Sequence, residues 1–259
     1  MCLILFAYKV HPRYRLLLLA NRDEFYDRAT APLDFWPGQP NLLAGRDLVQ
    51  GGTWMGVTRT GRLAAITNYR DPQSIKTDAP SRGHLVADYL LTHTAPADYL
   101  RRIRPQAARY NGFNLIVGDA TGLFWFSNRA ADATLALAPG IYGLSNHLLD
   151  TPWPKVQQGK SALIELLAQP DALSEEAFFT LLQSQVIAPD AQLPQTGVDR
   201  QWERMLSPIH ITSDTYGTRS STVLWIDAGG ILHCAERTWQ PAQTVPQAAA
   251  TRRFTFKVV

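Results

Sequence analysis

Residues 1–25 read MCLILFAYKVHPRYRLLLLANRDEF, and they contain two apolar runs separated by a turn-forming His-Pro-Arg triplet. We predict strands over residues 3–10 and 15–20 that pair as a short antiparallel hairpin. Such pairing brings the end of the second strand beside the start of the first. The polar residues 21–24, which follow the second strand, are therefore expected to lie next to Cys2.

The rest of the chain repeats this hairpin pattern between predicted helices. A short Thr-Gly turn separates β-rich runs at 51–57 and 62–68, which is a strong hairpin signal. The helices have apolar residues at helical spacing, or a Pro or Ser at their start. Further predicted strands span residues 113–118, 123–127, 134–138, 141–146, 221–227, 231–237 and 253–259, and predicted helices span residues 81–90, 96–103, 153–167 and 174–185.

Two stretches lack these patterns. Residues 27–40 contain three prolines among polar residues and are predicted to form a surface loop, as is the Pro- and Gln-rich stretch 186–200. The order of elements is strands, two helices, strands, two helices, strands. Hairpin connections imply antiparallel sheets, and each pair of helices can cover one sheet. We therefore predict an α+β fold, a four-layer αββα sandwich of antiparallel sheets, in one domain over residues 1–259.

Composition and charge disfavour several classes of protein. Of the 259 residues, 46% are hydrophobic and 18% are charged, which suits a globular protein with an ample core. The net charge of +3 comes without a block of Lys and Arg, so nucleic-acid binding is not expected. The first residues lack the basic start of a signal peptide, and no apolar run reaches the ~18 residues that span a bilayer. We expect a cytoplasmic protein that is not an integral membrane protein.

The two cysteines, Cys2 and Cys234, exclude a disulfide scaffold. Removal of Met1 would leave Cys2 with a thiol and a free α-amine, whose pKa near ~8 makes it a usable base. Cys2 is therefore a candidate nucleophile. The alternative is a small apolar residue in a core strand, where free Cys is common. Neither the cysteines nor the scattered histidines have metal-ligand spacing, so we expect no metal and no cofactor.

Arg22 and Asp23 would support such a nucleophile. An arginine beside a thiol favours the thiolate and lowers the thiol pKa. Asp23 would accept a hydrogen bond from the α-ammonium of Cys2 and hold it in position. The alternative is a surface turn with an ion pair, which is common and stabilises little.

Three further polar residues stand at the ends of predicted strands or just before one. Asn68 and Asn146 each close a strand-like run, and an asparagine side chain is a suitable donor to a developing oxyanion. Asparagine is also an ordinary turn residue. Arg219 lies in a polar, Gly-containing approach to a core strand, where it would reach Asp23 or a substrate, or else be an ordinary exposed residue.

Together these segments resemble a known family. The matching pieces are MCLILF, ANRDEFYDR, AGRD, GGTWMGVTRTGRLAAITNYRDP, SRGHLV, YNGFNLIVGD, YGLSNHLLDTPWPKV and YGTRSSTV, in order from residue 1 to about 225. They resemble the NRDE family, also called the transport and Golgi organisation protein 2 family. That family is similar to N-terminal-nucleophile hydrolases of the choloylglycine hydrolase and penicillin V acylase type, which have an αββα fold and cleave a non-peptide amide.

The resemblance implies roles for the residues that match. Cys2 would be both nucleophile and base, Arg22 would support the thiolate and Asp23 would bind the α-amine. Asn68 and Asn146 would donate to the transition state, and Arg219 would complete the polar network. The candidate substrate-binding residues are Asn21, Trp54, Tyr69 and Tyr142, although the aromatic ones are equally suited to a core.

The implied activity is a cysteine amidohydrolase that acts on a small N-acyl substrate through a thioester. The resemblance also allows an alternative, because members of the family are linked to haem trafficking and to lipid or acyl-CoA metabolism. The alternative is a non-catalytic protein that binds haem, a lipid or acyl-CoA in the same cleft. The partner is accordingly a small-molecule substrate or a haem or lipid ligand.

Overall fold

The structure, a computed structural model, describes residues 2–132, 134–241 and 246–258, with the backbone alone described at Cys2 and Pro170. The strands are β1 (Cys2–Tyr8), β2 (Tyr14–Phe25), β3 (Thr30–Trp36), β4 (Gln39–Asp47), β5 (Met55–Thr58), β6 (Leu63–Asn68), β7 (Phe113–Gly118), β8 (Leu123–Ser127), β9 (Thr134–Ala136), β10 (Gly140–Leu144), β11 (Tyr216–Asp227), β12 (Ile231–Gln240) and β13 (Gln247–Lys257). The α-helices are α1 (Gly83–Leu91), α2 (Pro96–Ile103), α3 (Pro154–Leu167), α4 (Glu175–Leu182) and α5 (Arg200–Met205). Within the described ranges, no helix has the length and apolar character needed to span a membrane.

The chain forms two compact units, each with its own sheet. The first unit comprises Met1–Asp27, Pro139–Ser145 and Leu149–Phe256. The second unit comprises Arg28–Ala138, Asn146–Leu148 and Lys257–Val259. The single domain expected from the sequence stays a prediction.

The sheet of the first unit has six strands in the order β10-β1-β2-β11-β12-β13. Its pairings from β10 to β12 are antiparallel, and the long strands β2 and β11 form its centre. Helices α3 and α4 cover one face, and the odd-numbered apolar residues of β1 and β2 point to that face. Leu5, Leu19 and Val223 of the sheet pack there against Leu163 and Phe179 of the helices.

The sheet of the second unit has seven strands in chain order, β3 to β9, and every neighbouring pair is antiparallel. Helix α1 packs on β4, β5 and β6, and α2 contacts β8. The core between them contains Val86, Tyr89 and Leu100 of the helices against Leu115 and Phe126 of the sheet. The predicted α+β class, with antiparallel sheets and helices packed on them, is confirmed.

The predicted surface loop over residues 27–40 is wrong, because β3 and the start of β4 lie within it. Strand β3 is at the edge of its sheet, where a proline such as Pro32 is tolerated because only one side of the strand has a hydrogen-bonded neighbour. The β3–β4 register also breaks between Ala31 and Asp34, beside that proline. The other predicted loop, residues 186–200, contains a 3-10 helix, Asp190–Gln192, and ends at the first residue of α5.

Candidate active site

One row of residues crosses the centre of the first sheet. The β1–β2 register pairs the Cα positions of Cys2 and Arg22, and on the other side of β2 Arg22 pairs with Ser220 of β11. We call these three positions the Arg22 row. The expected pairing of the β2 end with the start of β1 is thus confirmed for the backbone. Directly opposite residues of antiparallel strands are neighbours on one face, so Arg22 and Ser220 share a face.

Asn21 lies on the other face of β2, towards α4, because successive residues of a strand alternate. Its Nδ2 donates to the backbone carbonyls of Leu182 at 2.9 Å and Ile209 at 2.8 Å. Its Oδ1 accepts a hydrogen bond from Ser221 Oγ at 2.6 Å. Asn21 therefore joins β2 to the end of α4 and to a following loop, and its role as a substrate-binding residue stays a prediction.

Asp23 is buried, and hydroxyl groups of β11 bind it. Thr218 Oγ1 donates to Asp23 Oδ1 at 2.7 Å, and the Tyr216 hydroxyl donates to the Asp23 backbone carbonyl at 3.1 Å. Burial raises the pKa of the Asp23 carboxyl, although the charge of Lys155 and the hydrogen bond from Thr218 work in the opposite direction. Lys155 is itself buried, in the first turn of α3. The carboxyl is thus buried, and the charge of a buried lysine acts on it.

Arg219 lies at a break in the β2–β11 ladder. The register shifts between Thr218 and Ser220, which leaves Arg219 as the extra residue of a β-bulge. Its Nη1 donates to the Phe25 carbonyl at 2.7 Å. Burial lowers the pKa of Arg219, and the nearby positive charge of Arg22 lowers it further. The bulge therefore brings a second guanidinium close to the Arg22 row.

The second unit brings three of the other predicted residues together. Asn146 is fully buried, and its Nδ2 donates to the Asn68 carbonyl at 2.9 Å. The next residues are also joined, because the Tyr69 hydroxyl lies 2.7 Å from His147 Nε2. Asn114 Nδ2 donates to the His147 carbonyl at 2.8 Å. Asn68, Tyr69 and Asn146 thus form one hydrogen-bonded cluster.

The remaining two candidates are held by packing. Trp54 is half-buried against the second unit's core, and a Cβ added at Gly45 would lie 2.3 Å from its ring. Tyr142 on β10 stacks on Phe6 of β1, with ring centroids 5.1 Å apart. Both contacts are those of structural aromatic residues. Substrate binding by Trp54 and Tyr142 stays a prediction.

Four residues that lie next to the predicted site residues or interact with them were not predicted from the sequence: Lys155, His147, Thr218 and Ser220. Lys155 follows Pro154 at the start of a predicted helix, and nothing in the local pattern distinguishes it from an exposed lysine. His147 directly follows Asn146, which was a predicted site residue, and this adjacency could have indicated it. Thr218 and Ser220 flank Arg219, and their position opposite the β2 polar cluster depends on the long-range register.

Comparisons with known proteins give a family and remote structural neighbours. The family described as Transport and Golgi organisation 2 matches residues 1–241. A mouse protein named Transport and Golgi organization 2 homolog is 35% identical over 276 residues, covering 99% of this chain and 100% of its own. The family resemblance seen in the sequence is therefore confirmed.

Two solved structures with remote similarity are hydrolases by name. An N-acylethanolamine-hydrolyzing acid amidase ortholog of Caenorhabditis elegans has a TM-score of 0.42 at 11% identity, and covers 86% of this chain and 92% of its own. A mutant conjugated bile acid hydrolase of Clostridium perfringens has a TM-score of 0.43 at 10% identity, and covers 100% of this chain and 98% of its own.

Proposed function

This chain belongs to the Transport and Golgi organisation 2 family, and we propose that it is an N-terminal-nucleophile amidohydrolase. In this proposal Cys2 cleaves the C–N bond of a small, non-peptide N-acyl amide through a thioester intermediate. The observation that carries the proposal is the register of the Arg22 row, which pairs Cys2 with a buried arginine.

The surroundings of the row support a reactive thiol. A guanidinium beside a thiol stabilises the thiolate, which is the nucleophilic form. Arg22 is only 6% exposed, so its charge is screened less than that of a surface arginine. Asp23, the next residue, has a buried carboxyl that is able to bind an ammonium group. The charge of Lys155 and the hydrogen bond from Thr218 both lower the pKa of this carboxyl.

The proposed reaction has two half-reactions. After removal of Met1, the Cys2 α-amine takes the thiol proton and the sulfur attacks the substrate carbonyl. The C–N bond then breaks, and the proton passes from the α-ammonium to the leaving amine. In the second half, the α-amine removes a proton from water, which attacks the thioester and releases the carboxylic acid and the free thiol.

The other predicted residues receive roles within this reaction. Asn68 and Asn146 are assigned to the developing oxyanion, where a positioned amide donor contributes to the rate. Arg219 is assigned to the polar network around Arg22, in agreement with the charge interaction between the two guanidiniums. Substrate contacts are assigned to Asn21, Trp54, Tyr69 and Tyr142.

The first test is the intact mass of the purified protein, which we expect to be lower by one methionine. The second is hydrolysis of p-nitroanilides of straight-chain acids from butanoic to decanoic acid. We expect Cys2→Ala to reduce turnover to the uncatalysed background and to leave the melting temperature nearly unchanged. A thioester trapped at Cys2 by acid quench and detected by mass would identify the nucleophile directly.

Cys234→Ala is the matched control. The Cys234 thiol is buried in β12, and burial raises its pKa, so it should neither label with a thiol reagent nor affect turnover. Full activity in Cys2→Ala would refute the proposal. A retained Met1 would block the α-amine and would favour the alternative, a carrier of haem, lipid or acyl-CoA, which predicts stoichiometric binding without product.

A further inference from the structure

Ser220 is the residue of the Arg22 row that the proposed reaction leaves without a role. It is only 5% exposed, and its Oγ has no hydrogen-bond partner among the residues that the structure describes. Neighbouring hydroxyls of β11 differ in this respect. Ser221 Oγ donates to Asn21, and Thr218 Oγ1 donates to Asp23.

A buried hydroxyl without a partner is unfavourable, and the great majority of buried polar side chains are hydrogen-bonded. An alanine at position 220 would have no unpaired hydroxyl and would still fit in the strand. The hydroxyl of Ser220 therefore calls for a partner beyond the residues that the structure describes, such as a bound molecule or an ordered water.

The place of Ser220 indicates which molecule this is. It shares a face of the sheet with Arg22, away from helices α3 and α4, and the Arg22 row continues to Cys2. Adjacent strands are ~4.8 Å apart, so Ser220 lies roughly 10 Å from Cys2 between Cα atoms. A substrate whose carbonyl reacts at Cys2 would reach Ser220 only with a group several bonds away from the scissile amide.

We propose that Ser220 Oγ is a substrate-binding group that selects amides with a second hydrogen-bonding group, several bonds from the scissile bond. This inference rests on the proposed amidohydrolase function. Ser220 does not contact the reacting atoms in this arrangement. It determines specificity because a polar group of the substrate forms the hydrogen bond that Ser220 Oγ otherwise lacks.

The test compares chromogenic amides with and without that second group. The plain probes are p-nitroanilides of straight-chain acids from butanoic to decanoic acid. The polar probes carry a hydroxyl at the acyl terminus or a hydroxymethyl group on the nitroaniline ring. We expect Ser220→Ala to lower kcat/KM about tenfold for the best polar probe, because one hydrogen bond is lost, and to change it less than about twofold for the matching plain probe.

Stability gives the second readout. The sign of the stability change in Ser220→Ala distinguishes a substrate-binding role of the hydroxyl from a structural role. We expect Ser220→Ala to unfold at an equal or higher urea concentration than wild type, since an unpaired buried hydroxyl has been removed. Ser207→Ala is the matched control, because Ser207 is a buried serine whose Oγ donates to the Arg204 carbonyl and accepts from Ala188. It should lose stability and keep the wild-type preference for polar probes.

The outcomes separate the two proposals. If wild type hydrolyses neither kind of probe and forms no thioester at Cys2, the amidohydrolase proposal fails and this inference fails with it. If wild type is active but Ser220→Ala retains the same preference between probes, only the role of Ser220 is overturned, and an ordered water is its partner. A clear loss of stability in Ser220→Ala with unchanged specificity would likewise overturn it.

Discussion

Thr218 donates from Oγ1 to Asp23 Oδ1 over 2.7 Å, between residues that are 195 positions apart in the sequence. The same hydroxyl accepts a hydrogen bond from the Ile211 backbone amide at 2.9 Å. A threonine hydroxyl has one proton to donate, so Thr218 gives that proton to the buried carboxyl. This contact joins β11 to the polar end of β2.

Replacing Thr218 with valine tests the contact with a side chain of similar shape. We expect the free energy of unfolding to fall by about 1–3 kcal/mol, because a buried carboxyl oxygen and a buried amide lose a partner. The Asp23 pKa should rise further, since the Thr218 bond opposes the effect of burial. Urea unfolding measures the first effect, and NMR titration of labelled aspartate measures the second.

Thr238→Val is the control for this substitution. Thr238 also lies in the first sheet, but its hydroxyl donates a longer, exposed bond of 3.4 Å to the Ala250 carbonyl. Its loss should change stability by less than about 0.5 kcal/mol. Equal effects of the two substitutions would show that the Thr218 bond contributes nothing specific.

Asn21→Asp should be strongly destabilising although it is isosteric. A carboxylate donates no hydrogen bond, so it would face the carbonyl oxygens of Leu182 and Ile209 without a proton between them. We expect a loss of about 3 kcal/mol or more at pH 7, measured by urea unfolding. Part of this loss should be recovered at low pH, where the new carboxyl is protonated.

The partly exposed residue Asn111 provides the comparison for that change. Its Nδ2 also donates to a backbone carbonyl, that of Lys76 at 3.0 Å, but in an exposed position. Asn111→Asp should therefore cost no more than about 1 kcal/mol, with little dependence on pH. If Asn21→Asp were as mild as Asn111→Asp, the buried bonds of Asn21 would not stabilise the first unit.

His210 should make stability depend on pH. Its ring is buried edge-on against Trp239, with centroids 5.0 Å apart, and burial lowers its pKa to about 4. The unfolded value is about 6.5, so the unfolded state binds more protons between these values. His210 therefore leaves the free energy of unfolding unchanged above pH ~6.5. Below that value the free energy of unfolding falls with pH, and the loss at pH ~5 is about 2 kcal/mol.

The measurement is the free energy of unfolding by urea at several pH values. His210→Gln should show a flatter profile than wild type over the acid range, whatever its stability at neutral pH. His93→Gln, which replaces an exposed histidine, should keep the wild-type profile. A wild-type slope that survives in His210→Gln would mean that other groups cause the acid sensitivity.

Tyr69 and His147 should be energetically coupled. The hydroxyl and Nε2 are 2.7 Å apart, and the two rings are tilted with centroids 4.8 Å apart. A double-mutant cycle with Tyr69→Phe and His147→Gln should give a coupling energy of about 1 kcal/mol. The control cycle uses Tyr110→Phe with His147→Gln and should give a coupling near zero. Equal couplings in both cycles would argue against a specific bond.

The N-terminal hairpin was predictable because its information is local. Two apolar runs and a turn specify the pairing, and the pairing alone places Arg22 opposite Cys2. The predicted strands 113–118 and 123–127 match β7 and β8 for the same reason. Helix α4 also begins where its cap predicts, since Ser174 Oγ accepts from the Ala177 amide.

The rest depended on long-range contacts or on sheet position. Nothing near Asn21 indicates that its amide binds the carbonyls of Leu182 and Ile209, far along the chain. The prolines around β3 are typical of a loop, and only an edge position allows a strand there. The bulge that places Arg219 depends on how two strands pair over a long distance, which residue type does not specify.

The pairing of β2 with β11 has a consequence for biosynthesis. Leu19 pairs with Val223, so the central ladder of the first sheet closes only after most of the chain has left the ribosome. The N-terminal hairpin emerges first, and one edge of β2 has no paired strand until β11 is synthesised. For the proposed removal of Met1, this order leaves the start of β1 accessible during synthesis, and we expect such processing to precede closure of the central ladder.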